Sequence, residues 1–363
     1  MEEKIVKTKR IYWIDLAKII AMIFVMLAHT IAYSQHLEFL YKYINSFHIP
    51  LFFLISGLTF NINHYNQYKS FLKKKIKTLI VPYIFWAVIF LIPYILLGNV
   101  VSNSLQIGEQ NNSAKQIIGI IYGNGHDDYL KQNTPLWFLP CLFVTENIFY
   151  FIEKIKCNKK YYITMLVAAI LGGLDYYLSP IILPWGIDIA IVMLVFFSMG
   201  KIIFNHIKEN EKVKTNKKIY QLIFAVICII IGILIQIFNS NVACVNKNFG
   251  NYFIFMISAI FSVIGYILLI RKLPYSRIMQ YAGQRTLAIL IFHKIPVLLF
   301  QTKLGFFTEL LKNSNAIIEF VMSILVIIIS LMFSLLIEKA IVKLCPPLLG
   351  MNLRKAKIEN EEK

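Results

Sequence analysis

The sequence predicts an all-α integral membrane protein, a bundle of about ten transmembrane helices. Of its 363 residues, 58% are apolar and only 15% are charged, whereas a soluble domain is about half apolar and about a quarter charged. The apolar residues fall into runs of roughly 18 to 22, the length that a helix needs to cross the hydrocarbon core. This pattern excludes a soluble enzyme, a disordered chain and a disulfide scaffold.

Ten apolar runs define the predicted helices. In chain order they cover residues 12–33, 44–60, 79–97, 136–153, 161–178, 185–204, 219–238, 251–270, 286–303 and 317–338. Of the 37 lysine and arginine residues, 29 lie in the two terminal segments and in every second connection, against six in the other connections. Because positively charged loops are retained in the cytoplasm, we expect both termini to be cytoplasmic.

The chain is expected to form one transmembrane domain over residues 1–345, followed by a short charged cytoplasmic tail, 346–363. The longest connection, 98–134, is expected on the external side, where it forms either a lid or a disordered surface segment. The five cysteines include no C-x-x-C pair, so neither a disulfide framework nor a metal site is predicted. The net charge of +18 is explained by topology rather than by nucleic-acid binding.

The first predicted helix carries three ionisable residues, which are costly at bilayer depth and mark candidate functional sites. They are Asp15, Lys18 and His29. The eleven steps from Lys18 to His29 return to the same helix face about 16 Å further along. Asp15 lies one turn before Lys18, and the two form either a structural ion pair near the cytoplasmic mouth or part of the site. We interpret His29 as a functional residue.

Two further histidines lie within predicted helices. His48 is near the outer end of the second helix, at a depth similar to that of His29, so the two rings could meet in one outward-leaning cavity. His293 is near the centre of the ninth helix, beside Lys294. Pro296, which follows closely, cannot donate a backbone hydrogen bond and is compatible with a local opening of the helix.

A lysine cluster that includes Lys74 and Lys77 precedes the third helix. It either anchors the helix at the cytoplasmic surface or cradles an anionic, phosphate-bearing donor. At the start of the fourth helix, Trp137 is either an interface-belt residue or part of the site. Glu146, deeper in the same helix, is expected to need a partner for its charge.

Together these stretches resemble the acyltransferase-3 family of bacterial membrane acyltransferases, and within it the fucose 4-O-acetylase-like branch. The matching stretches, in chain order, are W-I-D-x-x-K followed after ten residues by H, F-H-I-P-L-F-F-L-I-S-G, K-x-x-K before P-Y, L-W-F-L, and Y-A-G-Q-R-T-L-A-I-L-I-F-H. The resemblance extends over residues 11 to about 340.

The resemblance implies an enzyme of the bacterial cytoplasmic membrane that transfers an acyl group, commonly acetyl from cytoplasmic acetyl-CoA. The acceptor it implies is a hydroxyl of a cell-surface glycan or of its lipid-linked precursor. By position, His29 corresponds to the family's essential first-helix histidine and Lys18 to its basic partner, which is more often arginine. Lys74 and Lys77 stand near the family's R-x-x-R motif, and Trp137 corresponds to the tryptophan of its L-W-F-L motif.

The transfer requires a base that removes the proton of the acceptor hydroxyl, and we assign this role to His29. The developing oxyanion requires donors, for which the candidates are His48, His293 and Lys294. Either the acyl group passes directly to the acceptor, which we favour, or it passes through an acyl-histidine intermediate.

The alternative function is that of a transporter or flippase for a glycan or a lipid-linked saccharide, which also needs polar groups within the membrane. The lack of a visible internal repeat weighs against this alternative. The acceptor, the choice of acetyl or succinyl, and the oligomeric state are left open by the sequence.

Overall fold

The computed structural model describes residues 11–351 apart from residues 33, 35, 106–112, 211–217 and 303–314. The α-helices of the described residues, in chain order, are α1 (Tyr12–Thr30), α2 (Glu38–Thr59), α3 (Tyr68–Lys75), α4 (Val81–Leu105), α5 (Ser113–Tyr122), α6 (Phe138–Lys154), α7 (Lys160–Leu178), α8 (Ile187–Asn210), α9 (Lys218–Ile237), α10 (Tyr252–Ile270), α11 (Arg277–Gly283), α12 (Thr286–Phe292), α13 (Lys294–Thr302) and α14 (Ala316–Leu344). A π-helical segment, Ile76–Ile80, joins α3 to α4.

The all-α, polytopic membrane architecture predicted from composition is confirmed. Within the described ranges, eight helices are long and apolar enough to cross a membrane, or nine if α11 and the helix that follows it form one bent span. Helix α2 is 22 residues long but is not among them, because side chains such as Asn45, Ser46 and His48 lower its mean hydropathy. The number of ten spans and the cytoplasmic location of both termini stay predictions.

The two ends of the bundle are named here by the first two helices. Helices α1 and α2 are joined by the short connection 31–37 and are antiparallel. The end at which α1 begins and α2 ends is called the N-face, and the other end is called the opposite face. The Tyr12 hydroxyl donates a hydrogen bond to the carbonyl of Pro274 (2.8 Å), so the connection before α11 lies at the N-face. The connection before α10, which contains residues 243–248, therefore lies at the opposite face.

Helices α2 and α8 pack with their backbones almost in contact. A Cβ atom added to Gly57 would lie 2.0 Å from the carbonyl oxygen of Phe197, and one added to Gly200 would lie 2.1 Å from that of Leu54. Only glycine allows so close an approach at either position, as is common between membrane helices. Helix α2 is therefore tied along this side to α8.

The ninth predicted helix, 286–303, differs from the structure. It is interrupted at His293, between α12 and α13, and α11 is bent by 68° relative to the helix that follows. Pro296 has no N–H group to donate to the carbonyl of Phe292, so this turn lacks one helical hydrogen bond. His293 itself keeps helical backbone angles (φ −60°, ψ −29°), so α12 continues into α13 through one weakened turn.

Two predicted connections also differ from the structure. The segment 98–134 was predicted as a long loop, but it includes the end of α4 and all of α5, with residues 106–112 outside the described residues. Residues 346–349, assigned to the tail, form a 3-10 turn that packs on α4. There the Trp86 indole donates a hydrogen bond to the carbonyl of Leu348 (2.8 Å). The rest of the predicted tail, 352–363, lies outside the described residues.

A buried lysine fastens the connections at the opposite face. The Lys247 ammonium lies 2.6 Å from a carboxylate oxygen of Asp175 and 3.8 Å from one of Asp188. It also donates hydrogen bonds to the carbonyls of Ser179 and Ile181, both at 3.0 Å. These contacts join the connection between α7 and α8 to the connection before α10.

Candidate active site

A cavity of about 300 Å³ lies inside the bundle and extends from the N-face side towards the opposite face. Lys18, Leu79 and Thr286 line it towards the N-face, whereas Tyr41 and Cys244 line it towards the opposite face. Most of the wall between these ends is apolar, and its side chains include Met22, Val25, Phe52, Leu287 and Leu290. The arrangement suits a ligand with a long apolar section and polar groups at its ends.

The predicted face of the first helix forms one side of the cavity. Both Lys18 and His29 line it, as their spacing along α1 predicts. Asp15 is buried, and its carboxylate lies 3.9 Å from the Lys18 ammonium. The Gln284 amide approaches the other carboxylate oxygen of Asp15 at 3.5 Å. Asp15 is not among the lining residues, so it acts on the cavity through Lys18.

His29 contacts the ring of His293. The two ring centroids are 5.4 Å apart and the rings are tilted by 36°. His293 is fully buried, and its Nδ1 lies 2.9 Å from the carbonyl oxygen of Ile289 and 3.0 Å from that of Leu290. A carbonyl can only accept, so Nδ1 carries a proton and Nε2 of the neutral ring carries the lone pair. Among the described residues this Nε2 has no hydrogen-bond partner.

His48 lines the same cavity and has the same ring orientation. Its Nδ1 donates to the carbonyl oxygen of Ile44 at 2.8 Å, which leaves Nε2 as the basic nitrogen of the neutral ring. The ring of Phe47 packs on that of Phe24, at 5.1 Å between centroids. His48 is therefore nearer to the N-face than His29, rather than at the similar depth that the sequence suggested.

The 3-10 segment before α6 contributes Thr134 and Trp137 to the cavity wall. Trp137 was a candidate from the sequence. Thr134 was missed, because a threonine in a long polar connection carries no local signal. Its hydroxyl oxygen accepts a hydrogen bond from the Lys294 ammonium at 3.0 Å. Lys294 thus contacts the cavity wall although it is not itself a lining residue.

The two lysines predicted to hold the acyl donor do not line the cavity. Lys74 and Lys77 are exposed at the N-face, and the Lys74 ammonium lies 5.1 Å from the centre of the Tyr65 ring. Lys75, between them, turns inward and forms an ion pair with Glu146 at 2.6 Å. The expectation that Glu146 has a partner is confirmed.

The structure adds a buried ion pair near the N-face end of the cavity. The Arg285 Nε lies 3.1 Å from a carboxylate oxygen of Glu338, and Arg285 directly precedes the lining residue Thr286. A Cβ atom added to Gly283 would lie 2.0 Å from the carbonyl oxygen of Asp15, so glycine is required where α11 crosses α1. Arg285 and Gly283 belong to the Y-A-G-Q-R stretch quoted above, but Glu338 carried no recognisable signal.

Within the described ranges, no group of three or more His, Cys, Asp or Glu side chains is arranged to hold a metal ion. A family model described as an acyltransferase domain matches residues 11–338, which is most of the chain. No curated protein and no solved structure matches the chain.

Proposed function

Because this chain belongs to the acyltransferase-3 family and is a multi-pass membrane acyltransferase, we propose that it is an O-acyltransferase. In this proposal it transfers an acyl group, most simply acetyl, from cytoplasmic acyl-CoA to a hydroxyl of a cell-surface glycan or a lipid-linked sugar precursor. It acts in the bacterial cytoplasmic membrane, with its N-face towards the cytoplasm as the loop charges predict. Acetyl-CoA is a co-substrate in this proposal.

The observation that carries the proposal is the position of His29 in a cavity that also contains a cation. Lys18 lies towards the N-face end, where a phosphate-bearing donor from the cytoplasm would enter. Lys18 and His29 are eleven positions apart on α1, a distance of about 16 Å. A long passage without further Lys, Arg, Asp or Glu side chains among its described lining residues joins the cation to the imidazole. It suits a donor whose anionic part binds near Lys18 while its uncharged arm carries the thioester to the base.

The residues support a direct transfer. His29 takes the proton of the acceptor hydroxyl as the oxygen attacks the thioester carbonyl. Collapse of the tetrahedral intermediate breaks the carbon–sulfur bond, and the departing thiolate takes the proton from His29 to give free CoA. His293 and His48, each fixed through Nδ1, present a second nitrogen that can orient His29 or the acceptor.

The proposal is tested by acetyl-CoA turnover in detergent-purified protein with a crude glycan extract as acceptor. Wild-type protein is expected to release free CoA, and His29→Ala is expected to abolish the release while it inserts and purifies normally. The exposed His64 provides a matched control, because His64→Ala should leave the rate unchanged. Absence of turnover in the wild type across several extracts would contradict the proposal, as would full activity in a folded His29→Ala variant.

A further inference from the structure

The orientation of two histidines raises the question of which group stabilises the oxyanion. The Nδ1–H groups of His48 and His293 are both used on backbone carbonyls of their own helices. In their neutral forms these rings therefore present a lone pair at Nε2, which accepts but cannot donate. A tetrahedral oxyanion needs hydrogen-bond donors, so a different lining group has to supply them.

Thr134 presents such a donor. Its oxygen accepts from the Lys294 ammonium at 3.0 Å, whereas its own hydrogen has as partner the Leu130 carbonyl at 3.4 Å. A hydroxyl–oxygen distance of 3.4 Å is well beyond the usual 2.7–2.8 Å of such bonds. The hydrogen can therefore turn towards a better acceptor at little cost, while the ammonium polarises the hydroxyl from behind.

The position of Thr134 relative to the histidine pair is fixed by two hydrogen bonds. The Asn133 side-chain amide donates to the carbonyl of Ile291 at 2.8 Å, and Lys294 binds Thr134. The segment before α6 is thus attached on both sides of His293, whose ring contacts His29. This attachment places Thr134 next to the turn that carries His293, and both Thr134 and His29 line the cavity.

Other polar side chains of the wall are less suited. The Asn45 amide donates to the carbonyl of Tyr41 at 2.9 Å, and the Ser56 hydroxyl donates to that of Phe52 at 2.9 Å. The Ser56 bond has an ordinary length and would have to break or be shared. Asn45 keeps a second N–H, but within the described part of the chain no cation polarises it as Lys294 polarises the Thr134 hydroxyl. The indole N–H of Trp137 is a second donor on the wall, and it provides the comparison in the test below.

We propose that the Thr134 hydroxyl, held and polarised by Lys294, donates the hydrogen bond that stabilises the oxyanion during acyl transfer. This inference rests on the proposed function. As the acceptor oxygen bonds to the thioester carbon, the carbonyl π electrons move onto the carbonyl oxygen, and Thr134 binds that oxygen. When the carbon–sulfur bond breaks, the carbonyl re-forms and Thr134 returns to Leu130. Lys294 acts through Thr134 and is a positioning residue.

The test compares kcat and KM for acetyl-CoA, with the glycan extract as acceptor, in Thr134→Val and Thr134→Ser. Valine has the shape of threonine without the hydroxyl, so kcat should fall about 100-fold with KM nearly unchanged, the usual effect of removing one oxyanion donor. Serine should restore kcat to within about fivefold of the wild type, since it keeps the hydroxyl. Binding of free CoA, measured by calorimetry, should change in neither variant.

Substitutions of Lys294 test the proposal independently if the Thr134→Val variant does not fold. Lys294→Met should lower kcat with KM unchanged, and Lys294→Arg should restore most of it, because arginine keeps both the charge and a donor. The double variant Thr134→Val/Lys294→Met should be no slower than Thr134→Val alone, since the two residues act as one unit.

The outcomes separate this inference from the proposed function. A wild-type protein without turnover would overturn both. Wild-type turnover that Thr134→Val and Lys294→Met leave within threefold would overturn only the oxyanion assignment. A large loss of kcat in Trp137→Phe together with an unaffected Thr134→Val would transfer the role to the indole, and would also overturn the inference.

Discussion

The rings of His29 and His293 lie 5.4 Å apart between centroids, although 263 residues separate them in the chain. His29 is near the end of α1, and His293 occupies the break between α12 and α13. The Nδ1 of His293 is bound to backbone carbonyls, so the nitrogen left for other contacts is Nε2. The structure thus brings one fixed imidazole against the imidazole that lines the cavity.

From this pair we expect strongly non-additive effects of substitution. His29→Ala should lower kcat by about 100-fold or more, the usual contribution of a general base, and His293→Ala should lower it by a smaller factor by releasing His29. The double variant should be no slower than His29→Ala, because the two rings act as a unit. The rate of CoA release is measured for the wild type, the two single variants and the double variant. A double variant whose loss of rate equals the product of the two single losses would contradict this expectation.

Lys18 should act on donor binding rather than on the chemical step. It is the only lysine, arginine, aspartate or glutamate among the described lining residues, so its charge meets the anionic part of the donor. Lys18→Ala should raise KM for acetyl-CoA about tenfold, and Lys18→Arg should raise it much less because the charge is kept. Steady-state kinetics at varied acetyl-CoA measure both. A fall in kcat at unchanged KM in Lys18→Ala would show a different role.

Lys74 and Lys77 should contribute weakly and in a salt-dependent way. Both are exposed and neither lines the cavity, so their effect on a phosphate-bearing donor acts through solvent and is screened by salt. Lys74→Ala/Lys77→Ala should raise KM about threefold at low ionic strength, and the difference should vanish near 0.5 M salt. A loss of activity that persists at high salt would mean that these lysines contact the donor directly.

The Cys244 thiol should react slowly with alkylating reagents although it lines the cavity. Burial raises the pKa of this thiol to about 12, so at pH 8 only about one part in 10,000 is thiolate. Its alkylation by iodoacetamide should be about a thousandfold slower than that of an ordinary thiol, and it should rise tenfold per pH unit up to pH 11.

This reactivity can be measured by mass spectrometry on chains that keep one cysteine each. A chain that keeps only Cys244 is compared with one that keeps only Cys157, which is exposed. Equal labelling of the two at pH 8 would contradict the assignment of Cys244 as a buried, protonated thiol.

Lys247 should contribute to the folding stability of the protein. Lys247→Met leaves the carboxylates of Asp175 and Asp188 without their cation, and breaking a buried ion pair in this way costs about 3 kcal/mol. The free energy of unfolding in a detergent and denaturant titration measures the loss. Lys42→Met is the control, since its pair with Glu38 is on the surface and such pairs are worth about 1 kcal/mol or less. Equal stability of the two variants would contradict this role.

Local periodicity made part of the site predictable. The K-x10-H spacing identified the face that Lys18 and His29 share, because both lie in one uninterrupted helix. The contact of His293 with His29 depends on how helices far apart in the sequence pack together, and it cannot be predicted from residue spacing. Glu146 was expected to need a partner, since a lone carboxylate is costly at that depth, but the identity of Lys75 as that partner was not predictable.

Lys74 and Lys77 lie exposed at the N-face, as expected for lysines that anchor a helix at the membrane surface, and their contact with the donor stays a prediction. The π-helical segment Ile76–Ile80 follows α3 directly, and a π turn takes more residues per turn than an α turn. Lys77 lies inside this segment, whereas Lys74 and Lys75 belong to α3, and Lys75 turns inward to Glu146. The π-helical segment has no clear signature in the sequence, whereas Pro296 did indicate a local opening of the helix beside His293.

The glycine contacts between α2 and α8 have a consequence for how a ligand enters. Because Gly57 and Gly200 each lie against a backbone carbonyl of the other helix, α2 and α8 move as one body, and His48 moves with them. We therefore expect a bulky acyl donor to be accommodated by the helices on the other side of the cavity, among them α12, rather than by a separation of α2 from α8.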